Sequence, residues 1–65
     1  MEWEQIQGKW NQLKGSARVE WAKLTDDELE QVQGERDKLV GLIQEKYGRT
    51  KEEAYKEVDD WAGRA

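Results

Sequence analysis

The sequence contains no cysteine, no histidine and no proline. Without cysteine there is no disulfide framework and no thiolate metal site. Without histidine the chain lacks the commonest metal ligand and the side chain best suited to moving protons near neutral pH. Without proline no helix is interrupted by ring geometry, so glycine and threonine must punctuate the chain. Long apolar runs are missing as well, and no stretch approaches the roughly 18 apolar residues of a membrane span. The opening MEWEQIQGKW has neither the basic start nor the apolar run of a signal peptide, so a cytoplasmic protein is expected. Basic charge is in deficit: a net charge of -4 and a pI near 4.8 argue against general affinity for nucleic acid.

What is present must fit into 65 residues, which allow one domain near the lower limit for folding without staples. Charged residues make up 40% of the chain and hydrophobic ones 35%, with a mean hydropathy of -1.19. That composition borders on disorder. Against disorder stand four Trp, two Tyr and a periodic placement of the apolar residues. A folded single domain over residues 1–65 is therefore expected. Its charge is uneven, with residues 1–24 carrying a net +1 and the remainder -5. Such polarity could steer a partner or draw two faces of one domain together.

The apolar periodicity is helical. Trp3, Ile6, Trp10, Leu13, Ala17, Trp21 and Leu24 advance in steps of three and four, a stripe about 90° wide on one long helix. Gly8 and Gly15 lie off that stripe and weaken it, so the turns up to Gly8 are expected to fray. In LTDDELEQ the acids begin a second helix. Thr25 as N-cap and Glu28 at N3 make a reciprocal capping box, and Leu24 meets Leu29 as a hydrophobic staple. Asp26, Asp27 and Glu28 then face the positive end of the helix dipole. A calcium loop would need alternating oxygen ligands around a glycine turn, and none follows.

This second helix carries Leu29 and Val32 and is expected to break at Gly34, giving segments near 26–33 and 35–47. The next stripe is Leu39, Val40, Ile43 and Tyr47, with Leu42 at its edge. Gly41 in its middle either wastes helix propensity or lets another helix, with a Trp, approach the backbone closely, and close packing is the expected reason. Gly48 suits the left-handed position after Tyr47. Thr50 with Glu53 makes a second capping box for a last helix, whose stripe is Ala54, Tyr55, Val58, Trp61 and Ala62. Glu52–Lys56 and Asp60–Arg64 are acid-first pairs four apart. Nothing alternates with period two. The expected fold is all-α, with a long first helix, a short second and two of medium length.

The blocks WNQLKG from Trp10, WAKLTDDEL from Trp21, GERDKLVGLIQEKYG from Gly34 and AYKEVDDW from Ala54 resemble the CsbD-like family of small bacterial stress-response proteins. The resemblance runs from Trp10 to Trp61. It implies a compact four-helix domain of two packed helical hairpins and a role in a general stress response. It brings no activity and no catalytic residues.

The residues themselves also speak against an enzyme. The hydroxyls are Ser16, Thr25, Thr50 and the tyrosines, and both threonines are committed to caps. Adjacent acids such as Asp26/Asp27 and Glu52/Glu53 are explained by helix starts, and a chain this small struggles to enclose a dry pocket. No cofactor is expected. Asp59 and Asp60 are the acids without a structural reason, since they fall in the last turn of a helix, where the dipole disfavours them. They read either as a solvated face, as an acidic patch for a partner, or as a salt bridge to Arg36 or the basic first helix. Lys14 and Arg18 are the basic candidates for a partner surface. Trp on a basic helix could stack on bases or lie on a membrane. Here the indoles share a face with Ile6, Leu13 and Leu24 while the lysines scatter, which reads as core. The expected core is Trp10, Leu13, Trp21, Leu24, Leu29, Val32, Leu39, Val40, Ile43, Tyr47, Val58 and Trp61. Three functions remain: a non-enzymatic monomeric module acting on an unidentified macromolecule, a hydrophilin-like protectant during water loss, and, more weakly, a nucleic-acid binder.

Overall fold

The two threonine caps organise the second half of the chain. In the computed structural model, which describes residues 1–65, the Glu28 backbone N–H donates to Thr25 Oγ1 (3.1 Å) and the Thr25 N–H to Glu28 Oε1 (3.0 Å). Glu53 and Thr50 repeat the exchange at 3.2 and 2.9 Å. Each box satisfies N–H groups that a helix start leaves without partners. Five helices result: α1 (Trp3–Gly8), α2 (Trp10–Glu20), α3 (Asp26–Val32), α4 (Arg36–Tyr47) and α5 (Lys51–Arg64), with no strand. Gly48 ends α4 in the left-handed region (φ 65°), and α4 and α5 run against each other from that turn.

The long first helix is divided where the apolar spacing gives no warning. Lys9 (φ -112°, ψ 18°) separates α1 from α2, and α2 stops at Glu20. Trp21 and Leu24 therefore enter the core from a turn; they are 2% and 1% exposed. That turn is held by Leu24 N–H on the Trp21 carbonyl (3.0 Å) and by Lys23 N–H on the Tyr47 hydroxyl (3.0 Å). The expected fraying through Gly8 is also not what the structure places there. Ile6 is wholly buried, Trp3 packs on Trp61, and Gln5 Oε1 caps the Glu2 N–H at 3.2 Å. Burial of one aliphatic side chain, about 1.5–3 kcal/mol, outweighs the glycine penalty of about 1 kcal/mol.

Between α3 and α4 the chain does break at Gly34. Gln33 (φ 54°) and Gly34 (φ 74°) are both left-handed, and Gly34 is buried. A Cβ at Gly34 would stand 2.8 Å from the Gln7 Cα. Close backbone approach, expected at Gly41, thus belongs to Gly34. Gly41 is exposed, with nothing within 4 Å of a Cβ there. A helical glycine at 41 carries a propensity cost without a packing return.

The core gathers around one indole. The ring centre of Trp61 lies 5.7 Å from that of Trp21, 6.2 Å from Trp10 and 6.3 Å from Trp3. Three indole N–H groups find acceptors: Trp10 on the Leu29 carbonyl (2.7 Å), Trp61 on Ser16 Oγ (3.2 Å) and Trp21 on Glu57 Oε1 (3.4 Å). Burying a Trp needs such a partner, because an unpaired donor in the interior costs about 1–3 kcal/mol. No buried side-chain polar atom lacks one. Leu24, Leu29, Val32, Leu39, Val40, Ile43 and Val58 complete the large part of the core, with Ile6, Ala17, Ala54 and Ala62. Leu13 and Tyr47, expected within it, are half-buried on its rim. The radius of gyration is 10.4 Å, close to the roughly 11 Å of a closed domain this long.

Candidate functional site

Asp59 does not face solvent alone. Although it lies late in α5, its carboxylate accepts Arg36 Nε (2.8 Å) and Nη2 (2.6 Å) in a two-pronged pair across to the start of α4. The Arg36 guanidinium also lies 4.5 Å from the centre of the Tyr55 ring, and the Tyr55 hydroxyl donates to Asp37 Oδ1 at 2.7 Å. The bond from Arg36 holds the Asp59 carboxyl below its ordinary value against partial desolvation. The same bond raises Arg36, and donation to Asp37 raises Tyr55. Each shift is that of a group pinned by a partner. Asp60 is exposed and its carboxylate meets no cation; Arg64 Nε reaches only its backbone carbonyl, at 3.3 Å.

The basic candidates are also engaged within the chain. Lys14 on α2 pairs with Glu30 on α3, and Arg18 with Asp26 one turn further on (2.8 Å). The acid-first pairs on α5 do not close. Arg64 turns instead to Glu20 at the end of α2 (3.2 Å), an electrostatic match for a cation beyond its own helix. Lys46 reaches Glu28 (2.8 Å), and Arg49 reaches Glu57 (2.8 Å), the carboxylate that also takes the Trp21 indole. The bond from Lys46 is the largest reason that the Glu28 carboxyl titrates low, with the Thr25 cap adding to it. The Thr50 cap does the same for Glu53. Of seven ion pairs, five join different helices, Arg49–Glu57 ties the α4–α5 turn to α5, and Lys38–Glu35 is local. Of the four candidate surface residues Asp59, Asp60, Lys14 and Arg18, three are therefore bound to other helices.

These cross-helix pairs were mostly invisible in the sequence. Arg36–Asp59 could be named as one option, because Asp59 lacked a local partner. Arg36 over Tyr55, and Tyr55 on Asp37, join residues 18 or 19 positions apart with no periodic relation between them. Only the packing of α4 on α5 brings them together.

The one surface depression lies between α3 and α4, lined by Glu28, Gln31, Val32, Lys38, Leu42 and Glu45. It is open to solvent, and two of its charged groups, Glu28 and Lys38, are already paired. No group of three or more acidic residues is placed to hold a metal ion. No helix is long and apolar enough to cross a membrane.

The arrangement has relatives. A family model described as CsbD-like matches residues 4–56. A UPF0337 protein of Pectobacterium atrosepticum is 55% identical over 58 residues, covering 89% of this chain and 84% of that one. The UPF0337 protein YjbJ of Escherichia coli is 53% identical over 57 residues, covering 88% and 83%. A UPF0337 protein of Bordetella pertussis is 51% identical over 59 residues, covering 91% and 89%. The matched span takes in nearly all of α1, the Gly34 break, both threonine caps and the first six residues of α5, so the chain belongs to the CsbD-like family of small bacterial proteins.

Proposed function

We propose that this chain is a non-enzymatic stress-response protein that acts, as a cytoplasmic monomer, through its folded surface on a macromolecular partner. The observation that carries this reading is the closed indole core in a chain so polar. A protein acting by composition alone has no use for three indoles packed around a fourth and three satisfied indole donors. Two packed helical hairpins, α2 with α3 and α4 with α5, describe the module that presents the surface. Membership of the CsbD-like family supports the stress role. Asp60 is the one member of the expected acidic pair left unpaired, and with Lys14, Arg18 and Asp59 it marks the candidate contact residues.

The second reading, a hydrophilin-like protectant, is favoured by the mean hydropathy of -1.19 and the 40% of charged residues. One experiment separates the two. Removing Trp21 costs on the order of 3–5 kcal/mol, about the whole stability of so small a domain. Trp21→Ala is therefore expected to unfold the chain while leaving its composition nearly unchanged. Protection of a freeze-labile enzyme should vanish with this variant; full protection by the unfolded chain would transfer the function to composition. Nucleic-acid binding is the weakest reading. Seven of eleven basic side chains are neutralised within the fold, leaving Lys9, Lys23, Lys51 and Lys56 against a larger number of free acids. No salt-sensitive shift of DNA or RNA is expected at low ionic strength.

A further inference from the structure

The break between α1 and α2 is one that the local sequence permits through Gly8 but does not require. Lysine is a good helix former, no proline is near, and Trp3, Ile6, Trp10, Leu13 and Ala17 keep their spacing straight through it. Yet the Gln12 N–H turns to the Lys9 carbonyl at 2.9 Å, the same oxygen that takes the Leu13 N–H at 3.0 Å. In an unbroken helix Gln12 would bond Gly8 instead. What keeps the break is tertiary contact: Ile6 in the core, Trp3 on Trp61, and the Gln7 backbone laid against Gly34. None of those contacts depends on α1 belonging to the same molecule as its slot.

We propose that α1 is an exchangeable arm and that its alternative occupant is the α1 of a second copy of this chain. Straightening at Lys9 makes residues 3–20 one helix, carries the arm away from its own Gly34, and places it in the equivalent slot of the partner. The exchange is reciprocal, as a two-fold dimer requires. Both arms keep their burial, and the backbone regains the regular bonds lost at Lys9. The cost is the freedom lost on association, so the monomer prevails in dilute solution and the dimer at high local concentration. This goes beyond the stress-module reading and stands independently of it.

The test begins with the full chain at millimolar concentration, warmed to its melting midpoint and cooled, then sized by chromatography with light scattering. A dimer peak is expected. In a dimer refolded from differently isotope-labelled chains, an isotope-filtered contact between Gln7 Hα and Gly34 Hα should run between chains. Gly8→Ala has open space for its methyl group. It favours the straight helix, where position 8 becomes interior, and should raise the dimer association constant roughly fivefold per hinge. Lys9→Gly, which penalises the straight helix, should lower it. A monomer in both the native chain and Gly8→Ala would overturn the proposal. So would a dimer in which the Gln7–Gly34 contact stays within one chain, since association would then use another face.

Discussion

At the scale of single residues, the six glycines of this chain have opposite consequences, and substitution tells them apart. Gly34 has φ 74° and leaves no room for a Cβ beside Gln7. Alanine there would meet both a left-handed backbone and a backbone atom that cannot swing aside. Gly34→Ala is expected to cost about 2 kcal/mol or more, lowering Tm by roughly 10 °C in a domain of this size. Gly41 is exposed within α4 with open space around it, so Gly41→Ala should add about 1 kcal/mol. Thermal unfolding followed by circular dichroism measures both. Equal effects at the two positions would contradict the close passage of α1 over Gly34. The sequence showed both glycines in one hydrophobic neighbourhood, and only the path of α1 decides which of them is pressed.

At the scale of helices, local signals were legible and their limits have a physical origin. Thr25, Glu28, Gly48, Thr50 and Glu53 each act on backbone groups within three or four residues, so sequence spacing suffices to place them. Gly8 marks a weak point in the first helix, but the helix ends at Lys9 because Ile6 and Gln7 are held elsewhere, and no local pattern records that. The pairing of α5 follows the same division. Asp60–Arg64 has ideal spacing, yet Arg64 turns to Glu20, while Asp59, with no local cation, is clasped by Arg36 from α4. Exposed pairs contribute about 0–1 kcal/mol, with two-pronged arginine pairs at the upper end. Asp59→Asn is therefore expected to lower stability by about 1 kcal/mol. Asp60→Asn should leave it unchanged or raise it by a few tenths, because a charge unfavourable to the helix dipole is removed. A denaturant titration comparing the two variants checks the order, and a reversed order would mean that the Arg36 clasp contributes nothing net.

For the whole molecule, folding works against a surplus of acid that the cross-helix pairs put to use. Fifteen carboxylates exceed eleven basic groups, and seven of them are spent on ion pairs, five joining different helices. Stability should therefore respond to acid more sharply than to base. The Glu28, Glu53 and Asp59 carboxyls titrate below their ordinary values of 4.5, 4.5 and 3.8, the first and third chiefly through Lys46 and Arg36 and the second through the Thr50 cap. A carboxyl lowered in the folded chain binds its proton more readily when unfolded. Its contribution is complete above the unfolded value and is lost as pH falls through the folded one. Stability is thus expected to be level from pH 7 to about 5 and to decline from about 4.5 downward. As the acids lose their charge the basic groups remain, and repulsion among them adds to the loss. Urea midpoints measured from pH 7 to pH 2 should fall only in that lower range. In Asp59→Asn the decline should be shallower, because one of the depressed carboxyls is gone. A midpoint that stayed constant to pH 3 would mean that neither the caps nor the cross-helix clasps contribute to holding this small fold together.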